Sequence, residues 1–333
     1  MERPGSRILP ALGIHLGIHL VLFTIISWAI VHFGGLQLQY ALVGGLLGSA
    51  VTLSVEWIIS PALILSFMKP RWIDYEEDVV LWSLVRGEAD NAGVVVNRIG
   101  VIDIEAPNAL ALSSTAGGCT ILLTRRLLTE LTYREVRALT VYLMGCSRSG
   151  VLGVATMFTG LMAISHRVAK GYIRSRLHGS PVGIPEILLA GWGYLLFALI
   201  YSQTAMASRL MSGYADAYAK RVTSMEFKMT LLKISFLLAS DPSNNLRESY
   251  IALKSLMFLD PTSSLKDISE LKDAAEKSGI RVGHLLDVGE VEFPEDLRFH
   301  IFEKFWVQES FADRFMELDE NEILQLQDIE RGY

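Results

Sequence analysis

ILPALGIHLGIHLVLFTIISWAIVHF, the stretch from Ile8 to Phe33, decides the class of this protein. It contains no Asp, Glu, Lys or Arg, and it is longer than the roughly 20 residues that an α-helix needs to cross about 30 Å of hydrocarbon. It also exceeds the apolar core of a cleavable signal peptide, which has about 7 to 15 residues. We therefore interpret it as a membrane helix that stays in the mature protein.

Three further apolar stretches approach or exceed the same length: Leu42–Met68, Val151–Ala169 and Ile187–Ser208. The composition agrees with a membrane location, because 51% of the residues are hydrophobic and 20% are charged. The mean hydropathy of +0.35 is too high for an ordinary soluble domain. The sequence predicts a mainly α integral membrane protein with four membrane helices.

The polar segments divide the chain further. Residues 1–68 are predicted to form an N-terminal membrane hairpin, and residues 151–208 a second one. Residues 69–150 and 209–280 together are predicted to form a cytoplasmic α+β lobe, with a small sheet and helices. Residues 281–333 are predicted to form a helical C-terminal extension.

The distribution of positive charge predicts the orientation. The turn of the first hairpin, Gly34 to Gln39, is uncharged, whereas basic residues flank both outer ends of the hairpin: Arg3, Arg7, Lys69 and Arg71. The positive-inside rule then places both ends in the cytoplasm. The second hairpin fits less simply, because basic residues lie in its connection: Arg167, Lys170, Arg174 and Arg176. Its two segments are therefore expected either to cross the membrane or to enter it partway.

Charge and cysteine content bound the partners and the location. A net charge of -6 gives no basic surface for nucleic acid. Two cysteines, Cys119 and Cys146, are too few for a disulfide framework and fit a reducing compartment. We expect a multi-pass protein of the cell membrane with the bulk of its polar domain in the cytoplasm. Its expected partners are the lipid bilayer and either another membrane protein or a second copy of the chain.

Local patterns predict the elements of the lobe. Apolar residues at helical spacing predict a helix over Tyr75–Asn91, and Thr132 with Glu135 forms a capping box that starts another helix ending near Cys146. Residues rich in Val, Ile and Leu between turn signals predict three strands: Val94–Ile104, Asn108–Ser113 and Cys119–Thr124. Three further helices are predicted after the last apolar stretch: Ala215–Ala239, Asn245–Leu259 and Leu265–Lys277.

This order of segments resembles the HtpX family of membrane metalloproteases, relatives of the CAAX prenyl proteases, over roughly Ile8 to Lys277. Two membrane spans precede an edge strand of the N-A-F type, here Asn108, Ala109 and Leu110. Two more spans lead to a motif of the E-F-x-A-D type. The remaining matches are short: Thr120–Thr124, Leu127 with Leu128, Thr132–Ala138, Ser208 with Arg209, and Tyr214–Ala217.

The catalytic signature of that family is missing. In H-E-x-x-H two histidines on one helix face bind zinc, and the glutamate activates the bound water. Those positions here read Tyr142, Leu143, Met144, Gly145 and Cys146, and the third ligand position falls on Ser212. We predict no catalytic residue at these positions, and we predict no metal ligand and no cofactor in the protein, with zinc expected to be absent. A dyad of Cys146 with a histidine is an open alternative.

Other residues stand out as binding candidates. His15 and His19 share one face of the first span, and Glu56 lies at a similar depth in the second, so the three are able to pair across the hairpin. Ionisable groups inside a membrane mark functional sites by default. Asn108, Ala109 and Leu110 form a candidate strand edge for an extended partner segment, or they complete the sheet. Two small-residue pairs favour close helix approach: Gly13 with Gly17, and Gly44 with Gly48.

The C-terminal extension combines aromatic residues with an acidic end. The aromatic residues favour a role in the core of the lobe over a docking surface: Phe299, Phe302, Phe305, Trp306, Phe311 and Phe315. The resemblance and the lost ligands together favour a catalytically inactive HtpX-like pseudoprotease that acts as scaffold or regulator of a membrane protein assembly, with protein quality control as one setting. Two alternatives stay open: an active membrane metalloendopeptidase with non-standard metal ligands, and a redox or proton-handling subunit.

Overall fold

The computed structural model describes residues 4–34, 37, 39–104, 106–177, 184–239, 251–260, 277 and 313–316, and for residues 165–177 and 184–199 it describes the helical backbone alone. A short 3-10 helix, Pro4–Ile8, leads into two long helices, α1 (Leu9–Phe33) and α2 (Gln39–Met68). In the described ranges, two helical segments are long and apolar enough to cross a membrane, Ser6–Phe33 and Gln39–Met68. The first two predicted spans are confirmed as candidate membrane helices.

The hairpin of α1 and α2 exposes most of its apolar side chains, as contact with lipid requires. Leu42, Leu46 and Leu47 are each at least 60% exposed. The two helices approach closely at the second glycine pair, where a Cβ on Gly48 would lie 2.6 Å from Phe23 Cδ1. Gly44 and Gly48 therefore serve packing inside the hairpin.

The third and fourth predicted spans fall in two further helices, α6 (Leu152–Leu177) and α7 (Ile184–Ala239). The first half of α6 is buried against protein, with Phe158 fully buried. This half follows the lobe helix Tyr133–Arg148 at an angle of 93°. If the two bent helices are counted together as one span, the described residues contain three candidate membrane spans. The helix predicted separately over Ala215–Ala239 continues from the fourth apolar stretch instead, with one non-helical residue at Ser224.

The lobe contains a small mixed sheet of four strands. They are β1 (Arg71–Ile73), β2 (Val96–Ile102), β3 (Ala109–Ser113) and β4 (Cys119–Thr124), in the spatial order β1-β2-β4-β3. β2 and β4 are parallel, while β1 with β2 and β3 with β4 are antiparallel. The bounds of β4 are as predicted, β2 and β3 are shorter than predicted, and β1, which has three residues, was not predicted.

The helices of the lobe begin at identifiable caps. α3 (Val79–Ala92) starts four residues later than predicted, because the Asp78 carboxylate accepts a hydrogen bond from the Leu81 backbone N–H at 2.9 Å. A short helix that the sequence did not predict, α4 (Arg125–Glu130), follows β4. α5 (Tyr133–Arg148) starts at the predicted capping box, in which the Thr132 backbone N–H donates to Glu135 Oε2 at 2.7 Å.

α5 and α7 cross at very short range, which positions the candidate site. A Cβ on Gly145 of α5 would lie 2.9 Å from the Cα of Ala215 on α7. Only glycine allows the two backbones to come this close. The crossing holds the degenerate zinc-helix positions against the Asp216 region of α7.

The described residues correct one helix prediction after α7. The segment predicted as a helix over Asn245–Leu259 contains a 3-10 helix at Ile251–Leu256, and Met257 then forms a β-bridge with Leu110. The predicted helix over Leu265–Lys277 lies outside the described residues apart from Lys277, and so does the extension apart from residues 313–316. Those four residues are helical, and Phe315 belongs to the main apolar core. For this one aromatic residue, the predicted role in the core of the lobe is confirmed.

Candidate functional site

The positions that correspond to the zinc signature are sealed inside the lobe. Tyr142, Leu143 and Cys146 on α5 and Ser212 on α7 are each at most 2% exposed. The Tyr142 ring stacks on Phe227 at a centroid distance of 5.8 Å and meets the edge of Phe258 at 4.8 Å. The Ser212 hydroxyl donates to the Arg209 carbonyl, 3.3 Å away in its own helix. The four side chains make a packed apolar core rather than an open cleft.

A charged residue from the C-terminal extension lies in this core. Arg314 is 1% exposed and grips Asp216 with two hydrogen bonds, from Nε to Oδ2 at 2.8 Å and from Nη2 to Oδ1 at 2.6 Å. Its third nitrogen, Nη1, donates to the Phe258 carbonyl at 2.9 Å. The guanidinium lies 5.6 Å from the Tyr142 ring centre, within range of a cation-π contact.

These residues do not fit the zinc ion that the family resemblance implies. Zinc needs deprotonated thiolate, neutral imidazole or carboxylate ligands. Burial raises the pKa of the Cys146 thiol, and burial also raises the pKa of the Tyr142 phenol well above its usual value. The carboxylate at hand, Asp216, is already paired with a cation. A zinc ion at this place would be repelled by Arg314, and no hydrolytic step through zinc follows from this geometry.

The two cysteines are expected to resist alkylation by iodoacetamide while the protein is folded. Burial raises the pKa of Cys119 to about 11. Burial also raises the pKa of Cys146, whose side chain is 2% exposed. A raised pKa lowers the thiolate fraction, which for an unperturbed thiol of pKa about 8.5 is roughly a quarter at pH 8. Mass spectrometry after labelling at that pH should find both thiols unmodified, and both fully modified in denaturing detergent. Fast labelling of Cys146 in the folded protein would instead indicate an activated nucleophile.

The candidate edge strand lies at the edge of the sheet, as the sequence predicts, and a neighbouring segment covers part of it. The Phe258 N–H donates to the Ala109 carbonyl at 2.7 Å, and Met257 bridges Leu110. The Asn108 side chain secures the same segment, since its Nδ2 donates to the Leu259 carbonyl at 2.7 Å. Binding of a second extended chain here stays a prediction, and it requires that residues 257–259 leave the strand.

A second polar cluster lies between α1 and α2. His15 Nε2 is 3.0 Å from Glu56 Oε2, and His19 Nε2 is 2.9 Å from Glu56 Oε1. The structure thus brings together the three intramembrane residues that the sequence singled out. The first glycine pair of α1 lies free of this packing, because a Cβ on Gly13 or Gly17 would meet nothing within 4 Å in the described part of the chain.

Sequence reasoning missed Arg314 and the 257–259 segment. Arg314 is one arginine in an acidic, aromatic stretch, and its partner is 98 residues away. The available signal was Asp216, which lies on an apolar helix and needs a cation once it is buried. That signal predicts that a partner exists and leaves its identity open.

Comparison with known proteins supports the resemblance. The chain is 28% identical to a protease HtpX homolog from Aeropyrum pernix over 216 residues, covering 62% of this chain and 67% of that protein. It is 24% identical to a protease HtpX homolog from Methanothermobacter thermautotrophicus, covering 59% of this chain and 74% of that protein.

One solved structure and one negative result complete the comparison. The crystal structure of S. mikatae Ste24p shares 15% identity with this chain at a TM-score of 0.41, and the match covers 94% of this chain and 66% of that one. No protein-family model matches the chain. The candidate membrane helices and the two sequence matches lead to one conclusion: the chain is a membrane protein and a relative of the HtpX membrane proteases.

Proposed function

We propose that this chain is a membrane pseudoprotease, which acts by binding a membrane protein and does not cut it. The observation that carries the proposal is the ion pair of Arg314 with Asp216. It puts a buried guanidinium among the residues that stand at the degenerate zinc positions, and burial raises the pKa values of the Tyr142 phenol and the Cys146 thiol beside it. A bound water needs a metal or a general base to become a nucleophile, and neither fits in this core.

The covered strand edge supports the same proposal. Residues 257–259 hydrogen-bond to Asn108 and Ala109 at the place where an extended substrate would add to the sheet. The carbonyl of Phe258 also accepts from Arg314. The segment on the strand edge and the cation in the core are therefore linked, and a substrate would have to disturb both.

Our proposal for the architecture follows the charge pattern of the sequence. We place four membrane helices in the cell membrane and the lobe in the cytoplasm, because the basic residues flank the outer ends of the first hairpin. The partner would be another membrane protein or a second copy of this chain. It would contact the lipid-facing helices or the lobe surface, with zinc and other cofactors absent from the lobe.

We expect the full-length protein in mild detergent to show no proteolysis of a fluorescent unfolded protein such as labelled casein, with or without added Zn²⁺. The matched control is Cys146→Ala, which removes the one degenerate position with a plausible metal ligand. The two proteins should give the same background rate and the same zinc content. Cleavage that is lost with a chelator and with Cys146→Ala would overturn the proposal in favour of an active peptidase with unusual ligands.

The binding half of the proposal has its own readout. Light scattering of the protein extracted in mild detergent should give a protein mass above the 37.0 kDa of one chain, because a scaffold is isolated with its partner or as an oligomer. A lone monomer without a partner would count against a scaffold function.

A further inference from the structure

The three polar side chains of the membrane hairpin converge on one point. In the described part of the chain, the ligand atoms of His15, His19 and Glu56 all lie within 4.8 Å of one another. They are well shielded, with side-chain exposures of 3% for His15, 11% for His19 and 10% for Glu56. A convergent, shielded set of two imidazoles and one carboxylate is a donor set that first-row transition metals favour.

The hydrogen bonds of His19 determine its tautomer, and they show which ring nitrogen directs a lone pair at the Glu56 carboxylate. Nδ1 lies 3.0 Å from the backbone carbonyl of His15, which can only accept, so Nδ1 carries the proton. Nε2 of the neutral ring is then an acceptor, and it lies 2.9 Å from Glu56 Oε1. Two acceptors at this distance need a positive species between them, either a proton or a metal ion.

The rest of the geometry favours the metal. A carbonyl that accepts from the far nitrogen of a histidine is the usual partner that orients a metal-bound ring. Zinc with bonds of about 2.0 to 2.1 Å holds tetrahedral ligand atoms about 3.3 Å apart. The observed separations of 3.0 and 2.9 Å, each to a different oxygen of Glu56, are a few tenths of an ångström shorter than this, and all the ligand atoms lie within 4.8 Å of one another.

Aromatic rings enclose the cluster. The Phe158 ring of α6 meets the edge of the His15 ring at a centroid distance of 5.0 Å, and Phe23 stacks on His19 at 6.3 Å. His19 and Glu56 both lie near the middle of their helices, at a depth of about 16 Å at 1.5 Å per residue. An unpaired charge there would be costly, so a bound ion must be held firmly by its ligands.

We propose that His15, His19 and Glu56 bind one divalent transition-metal ion of the zinc class inside the membrane hairpin. Three protein ligands leave one coordination position open, as in metal sites that also bind water or a small ligand. This site is separate from the degenerate positions on α5 and α7, and it does not depend on the proposed function of the lobe.

The test uses the full-length chain in detergent after chelator treatment, titrated with Zn²⁺ in a calorimeter and with Co²⁺ in an absorption spectrometer. The variants are His19→Ala and Glu56→Gln, of which the second keeps the size and hydrogen-bonding atoms of the side chain. His32→Ala is the matched control, because this histidine is exposed near the end of α1 and stacks on Trp28. Thermal melts without metal show whether each variant folds.

We expect the wild type and His32→Ala to bind about one Zn²⁺ and to give a Co²⁺ spectrum of low coordination number. His19→Ala and Glu56→Gln should lower the affinity by at least about 100-fold. Cys146→Ala should leave the binding unchanged, which separates this site from the lobe. Absence of Zn²⁺ binding to the wild type would overturn the proposal. Equal binding by the folded Glu56→Gln variant would also overturn it, because the bound metal would then be an adventitious ion only.

Discussion

Replacing Arg314 with alanine is expected to lower the free energy of unfolding of the lobe by about 3 to 5 kcal/mol, because it leaves the Asp216 carboxylate buried without a cation. Arg314 is 1% exposed, and its guanidinium makes three hydrogen bonds, two of them to Asp216. Urea denaturation in mild detergent, followed by tryptophan fluorescence, would measure the loss. Trp72 and Trp82 report on the lobe.

Two controls make this prediction specific to the ion pair. The double variant Asp216→Leu with Arg314→Met replaces both charges by apolar groups and should restore much of the stability, because no charge is left unpaired. Arg125→Ala breaks the pair with Asp103, in which the two side chains are 59% and 76% exposed, and should cost at most about 1 kcal/mol. A cost for Arg314→Ala no larger than that of Arg125→Ala would show that Asp216 is not buried as described, and the main support for the pseudoprotease would fall.

Replacing Tyr142 with alanine is expected to cost about 3 to 5 kcal/mol, because it leaves a cavity where a buried aromatic ring had packed. The ring is 1% exposed and contacts Phe227, Phe258 and the Arg314 guanidinium. Tyr142→Phe keeps the ring and removes a buried hydroxyl whose neighbour is the thiol of Cys146, a weak hydrogen-bonding group. It should change the stability by less than about 1 kcal/mol or raise it.

Denaturation and zinc analysis of Tyr142→Phe together decide whether Tyr142 serves only to pack the core or also acts as a ligand or proton donor. If Tyr142 served as a metal ligand or a proton donor, Tyr142→Phe would abolish that role although its fold is intact. Unchanged zinc content and unchanged stability in Tyr142→Phe are the expected results. A large loss of stability in Tyr142→Phe would mean that the hydroxyl has a strong hydrogen-bond partner and that the core is not packed as described.

Much of the fold was predictable because it depends on local sequence. The membrane helices follow from the length of their apolar runs, and α5 follows from the capping box of Thr132 with Glu135. The late start of α3 was missed, because Asp74 organises a turn before Asp78 by accepting from the Glu76 and Glu77 N–H groups. Such side-chain caps compete with apolar periodicity, which alone cannot locate the first residue of a helix.

The sequence by itself determined that this protein enters the membrane, and it predicted that His15, His19 and Glu56 lie at similar depth. Both follow from residue types and their spacing along one or two helices. The replacement of the zinc ligands is what the chain's resemblance to the HtpX family implies. Only the tertiary structure decided what fills the degenerate site: Arg314 reaches Asp216 across 98 residues, and residues 257–259 pair with Ala109 and Leu110. The physical reason is that these contacts join segments far apart in the chain, and a buried charge or a strand edge requires a partner without specifying where in the sequence it lies.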